Sequence, residues 1–111
     1  MGLREIVRQD WVSLLDAFSR DFAGRHARLE VVGKNGAQHV ITEDLPFEGM
    51  NADLKDGEHS VSITLGQGES GPNLTHTVSD ITSISVDELN GRVARVEIGS
   101  ADQSTTVFTL H

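Results

Sequence analysis

Between Asp10 and Ala23, the apolar residues Trp11, Leu14, Leu15, Phe18 and Phe22 recur at three- and four-residue intervals. That spacing lines one side of a helix, which is therefore expected over about residues 10–23. Asp10 is positioned as its N-cap, where a carboxylate can accept from the unpaired N–H groups of the first turn, and Gly24 as its stop. So many bulky side chains on one stripe need a surface to cover. Nothing else in the chain is as apolar, so the stripe is expected to pack on the protein's own core and not on a partner.

After Gly24 the period changes from 3.6 to 2. Turn signals follow at short intervals: Asn35-Gly36, Asp56-Gly57, the Gly66 to Pro72 stretch, Asn90-Gly91 and Ser100 to Ser104. This is hairpin chemistry and not the spacing of βαβ crossovers. Strands are expected near 27–33, 37–43, 49–55, 58–65, 73–79, 81–87, 92–99 and 105–110. The fold class is accordingly α+β. One N-terminal amphipathic helix packs on a mostly antiparallel, hairpin-connected sheet or small barrel of about 7–8 strands, with residues 1–111 as a single domain.

Side-chain parity sets the register, because a one-residue slip turns every apolar residue to the wrong face. A two-residue Asp56-Gly57 turn places Leu54 opposite His59, Ala52 opposite Val61 and Met50 opposite Ile63. Setting Leu65 against Leu74 brings Ile63 to His76 and Val61 to Val78, leaving Asn51, Asp53, Ser60, Ser62, Thr75 and Thr77 on the other face. At Asn90-Gly91 a strict two-residue loop would oppose inward and outward residues. A three-residue loop Leu89-Asn90-Gly91, with Gly91 in a left-handed bulge, restores agreement and predicts Ile84 facing Val96 and Val86 facing Ala94. The last hairpin pairs Ile98 with Thr106, Val96 with Phe108 and Ala94 with Leu110. How the hairpins join into one sheet is not determined by parity.

Charge and composition narrow the functional classes. The formal net charge is −8, which argues against a phosphate-backbone binder, since such proteins cluster Lys and Arg. Five arginines lie within residues 1–28, whereas from Asn35 to Gly91 the only Lys or Arg is Lys55. Attraction between a basic N-terminal segment and an acidic sheet is the expected consequence, with steering of a basic partner as the alternative. Cysteine is absent, so disulfides, thiolate metal sites and cysteine nucleophiles are excluded. No uninterrupted apolar run marks a signal segment or a spanning helix, which makes the cytoplasm the expected location and a membrane role unexpected.

Few residues carry recognisable chemistry. Gly66-Gln67-Gly68-Glu69-Ser70-Gly71 matches G-x-G-x-x-G, but Pro72 and an alternating strand follow it where a phosphate site needs a helix N-terminus. The five histidines show no metal-ligand spacing, and no Ser-His-Asp set can be argued, so neither a metal, a cofactor nor a catalytic group is expected. Asn73-Leu-Thr75 would be a glycosylation acceptor only in a secreted protein. His76, between Leu74 and Val78 on the apolar-facing side, is either a buried neutral histidine or a pocket contact. Asn51, Asp53 and Lys55 concentrate polarity on the outer face of one hairpin. They are the first candidates for docking a small polar ligand or a partner loop, the alternative being a solvated Asp–Lys pair.

Arg4-Glu-Ile, Trp11, Leu15-Asp-Ala-Phe-Ser19, Asn51-Ala-Asp-Leu-Lys-Asp-Gly57, Ile63-Thr-Leu-Gly66 and Leu74-Thr-His-Thr-Val78 occur in this order over residues 4–110. In these segments the chain resembles an uncharacterised family of short bacterial proteins, a domain of unknown function. The resemblance implies a bacterial intracellular protein and brings no catalytic residue, cofactor or substrate. The leading expectation is a non-enzymatic binding or protein-interaction module, with a homodimer among its assemblies. The alternative is a small β-barrel with a ligand pocket between helix and sheet, lined by His76, Met50 and Phe108.

Overall fold

The computed structural model describes residues 3–54, 57, 59–66, 71, 73–89 and 92–110. A short strand β1 (Leu3–Glu5) and a 3-10 turn (Arg8–Asp10) lead into helix α1 (Trp11–Phe22). Seven strands follow: β2 (His26–Val32), β3 (Gln38–Asp53), β4 (Ser60–Gly66), β5 (Asn73–Val78), β6 (Ile81–Leu89), β7 (Arg92–Ser100) and β8 (Thr105–Leu110). All pairings are antiparallel, in the order β1-β6-β7-β8-β2-β3-β4-β5. The expected helix-on-sheet α+β architecture is present, and the sheet does not close.

Two strand assignments change. The segments expected at 37–43 and 49–55 are one strand of 16 residues. Its first part pairs with β2 and its last with β4, and the change of partner falls at Pro46 and Phe47, between irregularities in both ladders. Phe47 bridges the change: its N–H donates to the Arg25 carbonyl, and its carbonyl accepts from the Gly24 N–H, both at 2.7 Å. The added strand is β1. Three residues are too few to show alternation, and its partner β6 lies far along the sequence.

Registers across β3, β4 and β5 are as parity predicts, with Met50 opposite Ile63, Ile63 opposite His76 and Leu65 opposite Leu74. The last hairpin also agrees, pairing Val96 with Phe108 and Ile98 with Thr106. The β6–β7 hairpin differs by two residues, with Ile84 opposite Ile98 and Val86 opposite Val96. Leu89 pairs with Arg92, so the loop holds two residues, and the extra residue is absorbed by an irregularity between Asp87 and Glu88. A shift of two leaves each side chain on its expected face, so the core composition is unaffected. The expected left-handed Gly91 lies outside the described residues, as do residues 67–70 and 72 of the Gly66 to Pro72 stretch.

The order of strands also determines the sheet's curvature. Only Ser79 and Asp80 separate β5 from β6, and three Cα steps reach at most about 11 Å. These strands stand six places apart in the sheet, about 29 Å if it were flat at the usual strand spacing. The sheet must therefore curl until its two ends approach. At the resulting seam the Ile81 N–H donates to the His59 carbonyl at 3.0 Å, while the Ala101 N–H, donating to the Asp80 carbonyl at 2.9 Å, carries the β6–β7 ladder one pair further into the adjoining turns.

Helix α1 fills this curled sheet. Trp11, Leu15 and Phe18 are buried, with Leu14 and Phe22 packed alongside, against a core including Met50, Ile63, Val86 and Ile98. Phe18 meets Phe22, Phe47 and Phe108 at centroid separations of 4.8, 5.5 and 5.6 Å, the range in which tilted aromatic pairs attract. Asp10 does not cap the helix with its side chain. The preceding 3-10 turn has already placed Asp10 in helical conformation (φ −99°, ψ −2°), which removes the extended geometry that a capping carboxylate needs. Gly24 does end it, at φ +91°, where a Cβ would be strained.

One hydroxyl fastens the helix to the bend in β3. Ser19 Oγ accepts from the Met50 N–H at 2.8 Å and shares its own proton between the carbonyls of Leu15 (2.8 Å) and Met50 (3.0 Å). Replacing Ser19 by Ala strands the Met50 N–H in a buried position. We expect S19A to lower unfolding free energy by about 1–3 kcal/mol, measured by urea denaturation; a change within error would show that this contact is not holding helix to strand.

Candidate functional site

The strand-to-strand corner at the seam is where polar side chains converge. Asp80 and Gln103 are the only described non-glycine residues with positive φ, at 54° and 69°. Each lies in one of two turns, β5–β6 and β7–β8, that the Ala101 to Asp80 hydrogen bond ties together. Asp tolerates the left-handed region because its short side chain can satisfy local backbone groups. A cleft of about 310 Å³ opens between these turns and strands β2, β5 and β8.

The lining of this cleft is mixed. Val31 and Val78 provide apolar walls, Thr77, Ser79, Ser100, Ser104 and Thr106 provide hydroxyls, and Asp80 and Asp102 provide carboxylates. Asp102 Oδ1 accepts from the Ser104 hydroxyl at 2.6 Å and the Ser104 N–H at 2.9 Å. These bonds, the hydroxyl's first, hold the Asp102 carboxyl below the usual carboxylate range, so it remains ionised. A second depression of about 370 Å³ adjoins it, with Thr77, Ser79 and Asp80 common to both and Gly57, His59 and Ser60 on its far side.

Two histidines border the site in different states. His76 is half-buried in β5, facing the cleft, and its ring makes no hydrogen bond among the described residues. Burial holds it below the ordinary histidine value of 6.5, so it is neutral near pH 7. His59 Nε2 instead contacts the Arg8 guanidinium. A guanidinium offers only N–H donors, so in this contact the ring nitrogen is the acceptor.

The residues singled out from sequence do not form one site. Asn51 and Asp53 are exposed in β3, opposite Ser62 and Ser60, on the face away from the core. His76 lies on the other face, in register with Ile63. Lys55 lies outside the described residues, as do Asp56 and Glu58. The pocket envisaged between helix and sheet is filled at that place, since Met50 and Phe108 are fully buried. The His76 cleft is instead bounded by strands and turns without a helix residue. Asp80, Asp102, Ser104 and Thr106 had no distinguishing sequence signal, because the cleft depends on how β5 meets β6 and β8.

Two further polar or open regions have simpler accounts. On the outer face, Arg28 pairs with Glu30 (2.6 Å) and Glu43 (3.2 Å), while Arg95 reaches Glu97 (3.2 Å) and Asp87 (3.5 Å). These charges serve one another along β2 and β7 and across to β3 and β6. Near the N-terminus Arg4 pairs with Glu88 at 2.5 Å, one contact of the kind expected between the basic segment and the acidic sheet. Beside that pair a groove of about 390 Å³ includes Ile6, Val7 and Leu14. Among the described residues, no three His, Asp or Glu side chains converge to hold a metal, and no helix is long and apolar enough to cross a membrane.

The state of His76 gives stability a pH dependence of known sign. The unfolded chain binds the proton more readily than the folded one, so the histidine's contribution is complete above about pH 6.5 and falls as pH drops below it. We expect His76→Gln to remove this part of the acid-side slope in thermal denaturation followed from pH 7.5 to 5. An unchanged slope would place the titration elsewhere.

Finally, the chain belongs to a family of unknown function, DUF5335, whose profile matches residues 3–111. No curated protein and no solved structure matches it.

Proposed function

We propose that this member of the family is a non-catalytic binding module that holds a small polar ligand in the seam cleft beside His76. The observation that carries the reading is the half-buried imidazole, without a hydrogen-bond partner among the described residues, facing a cleft of about 310 Å³ lined by hydroxyls and carboxylates. In a purely structural role the strand position would favour an apolar, β-branched residue. His76 stands between Leu74 and Val78 and opposite Ile63, so desolvating an imidazole there without a hydrogen bond is unfavourable. A ligand group that donates to or accepts from the ring would offset this. Strand residues Val31, His76, Thr77, Val78 and Thr106 supply about half of the walls, and the two turns supply most of the rest. The reading takes the protein to act in the bacterial cytoplasm, an expectation that the resemblance of its sequence to short bacterial proteins supports.

A second reading, association through the N-terminal edge, is favoured by the clustering of exposed apolar side chains there. Leu3, Val7 and Val12 are 51, 58 and 43% exposed, next to the unpaired edge of β1 and the groove beside it. Asn51, Asp53 and Lys55 remain candidates for a partner loop on the outer face.

The cleft reading predicts a trade of stability against binding. His76→Val should raise unfolding free energy by up to about 1 kcal/mol, while the amide shifts that small polar fragments produce at Thr77, Ser104 and Thr106 in ¹⁵N-correlated spectra disappear. A variant that is destabilised and leaves those shifts intact would show that His76 is a structural residue. For the edge reading, Val7→Asp should dissociate any dimer seen by sedimentation at high concentration.

A further inference from the structure

Given that the cleft is a ligand site, as proposed above, we infer that its ligand is an extended alkylammonium compound of the polyamine class, lying from the Asp102 cleft across Asp80 into the depression beside His59. The two depressions share Thr77, Ser79 and Asp80, so together they form one trough with Asp80 at its middle. Each of the two turns at the trough places one carboxylate in it, and among the described residues no Lys or Arg lines either part.

The chemistry of the walls separates ligand classes. An anion would meet Asp80 and Asp102 along the trough, with the Arg8 guanidinium touching its lining at His59, at the far end. An aromatic ligand would find no Phe or Trp in either lining, only the separate imidazoles of His76 and His59. An apolar ligand would leave hydroxyls and carboxylates desolvated and unpaired. Alkylammonium groups match instead: each carries only donors, and the site offers acceptors in the Asp80 and Asp102 carboxylates, the Ser and Thr hydroxyls and the neutral His76 ring. The methylene segments of such a ligand suit the Val31 and Val78 walls. Asp102 remains ionised well below neutral pH because of Ser104, and Asp80 makes no side-chain hydrogen bond or ion pair among the described residues. The chain's net charge of −8 would draw cations toward it from solution.

Spermidine, Nα-acetyl-lysine amide, sorbitol and citrate, each titrated into the ¹⁵N-labelled full chain at fixed ionic strength, test this. Spermidine is expected to give saturable shifts at Thr77, Ser79, Ser104 and Thr106 and to bind more tightly than the lysine analogue, which has one ammonium. Asp80→Asn should weaken spermidine about tenfold while preserving the left-handed backbone that Asn also tolerates. Glu48→Gln, which makes the same charge change at an exposed position outside the trough, should leave affinity unchanged. Equal weakening by D80N and E48Q would mean diffuse attraction to an acidic protein and would overturn the inference, as would tighter binding of the lysine analogue. Should sorbitol or citrate shift the cleft amides while spermidine does not, the cleft stands as a site and the cationic ligand falls. If none of the four compounds moves those amides, the cleft reading fails with it.

Discussion

The seat of helix α1 on the bend of β3 is the contact on which the rest of the architecture depends. There Phe47 hands β3 from one pairing partner to the next, Phe18 closes an aromatic cluster with Phe47 and Phe108, and Ser19 ties the helix to Met50. Without a helix inside, the curled sheet would leave its inner face exposed at the seam, because β5 and β6 are not hydrogen-bonded to one another as strands. Burial of the Trp11, Leu15 and Phe18 side chains is worth about 1.5–3 kcal/mol each, a large share of the net stability of a protein of this size. The helix is thus an interior element of the sheet's curvature and not a lid laid on a finished surface.

Local periodicity made much of this legible. The helix stripe, the inward faces of β4 to β8 and three of the hairpin registers follow from spacing, because a buried face tolerates no change of parity. The departures have distinct physical causes. The β6–β7 pairing shifted by two because an irregularity inside the strands, and not a three-residue turn, corrected the parity, and both solutions bury Ile84 and Val96. The 16-residue β3 reads as two strands because its middle, Thr42 to Glu48, loses alternation where it changes partners. β1 has no pattern of its own and exists through pairing with β6.

The candidate site was less legible than the fold for a related reason. His76 could be noticed because an imidazole interrupts an apolar face, a purely local anomaly. Asp80 and Asp102 looked like ordinary turn residues, and their convergence depends on a two-residue link between strands that stand six places apart. Clefts made by the closing of a sheet are long-range objects, and single-residue chemistry in turns does not announce them. The polar outer-face residues Asn51 and Asp53 illustrate the converse, since a strong local concentration of polarity is what any solvated strand face displays.

The placement of β2 between β3 and β8 orders events during synthesis. β2 can pair with β3 as soon as the adjoining hairpin leaves the ribosome, but its other edge, from Ala27 to Val32, waits for Thr105 to Leu110. Phe108, the ring that joins the Phe18–Phe47 pair, arrives with that same last strand. The nascent chain therefore carries an unpaired strand edge and an incomplete aromatic cluster through most of its translation, the exposed state that nascent-chain chaperones recognise. A chain in which β8 cannot pair leaves the Ala27 to Val32 edge of β2 open, and an unpaired strand edge is a template for aggregation.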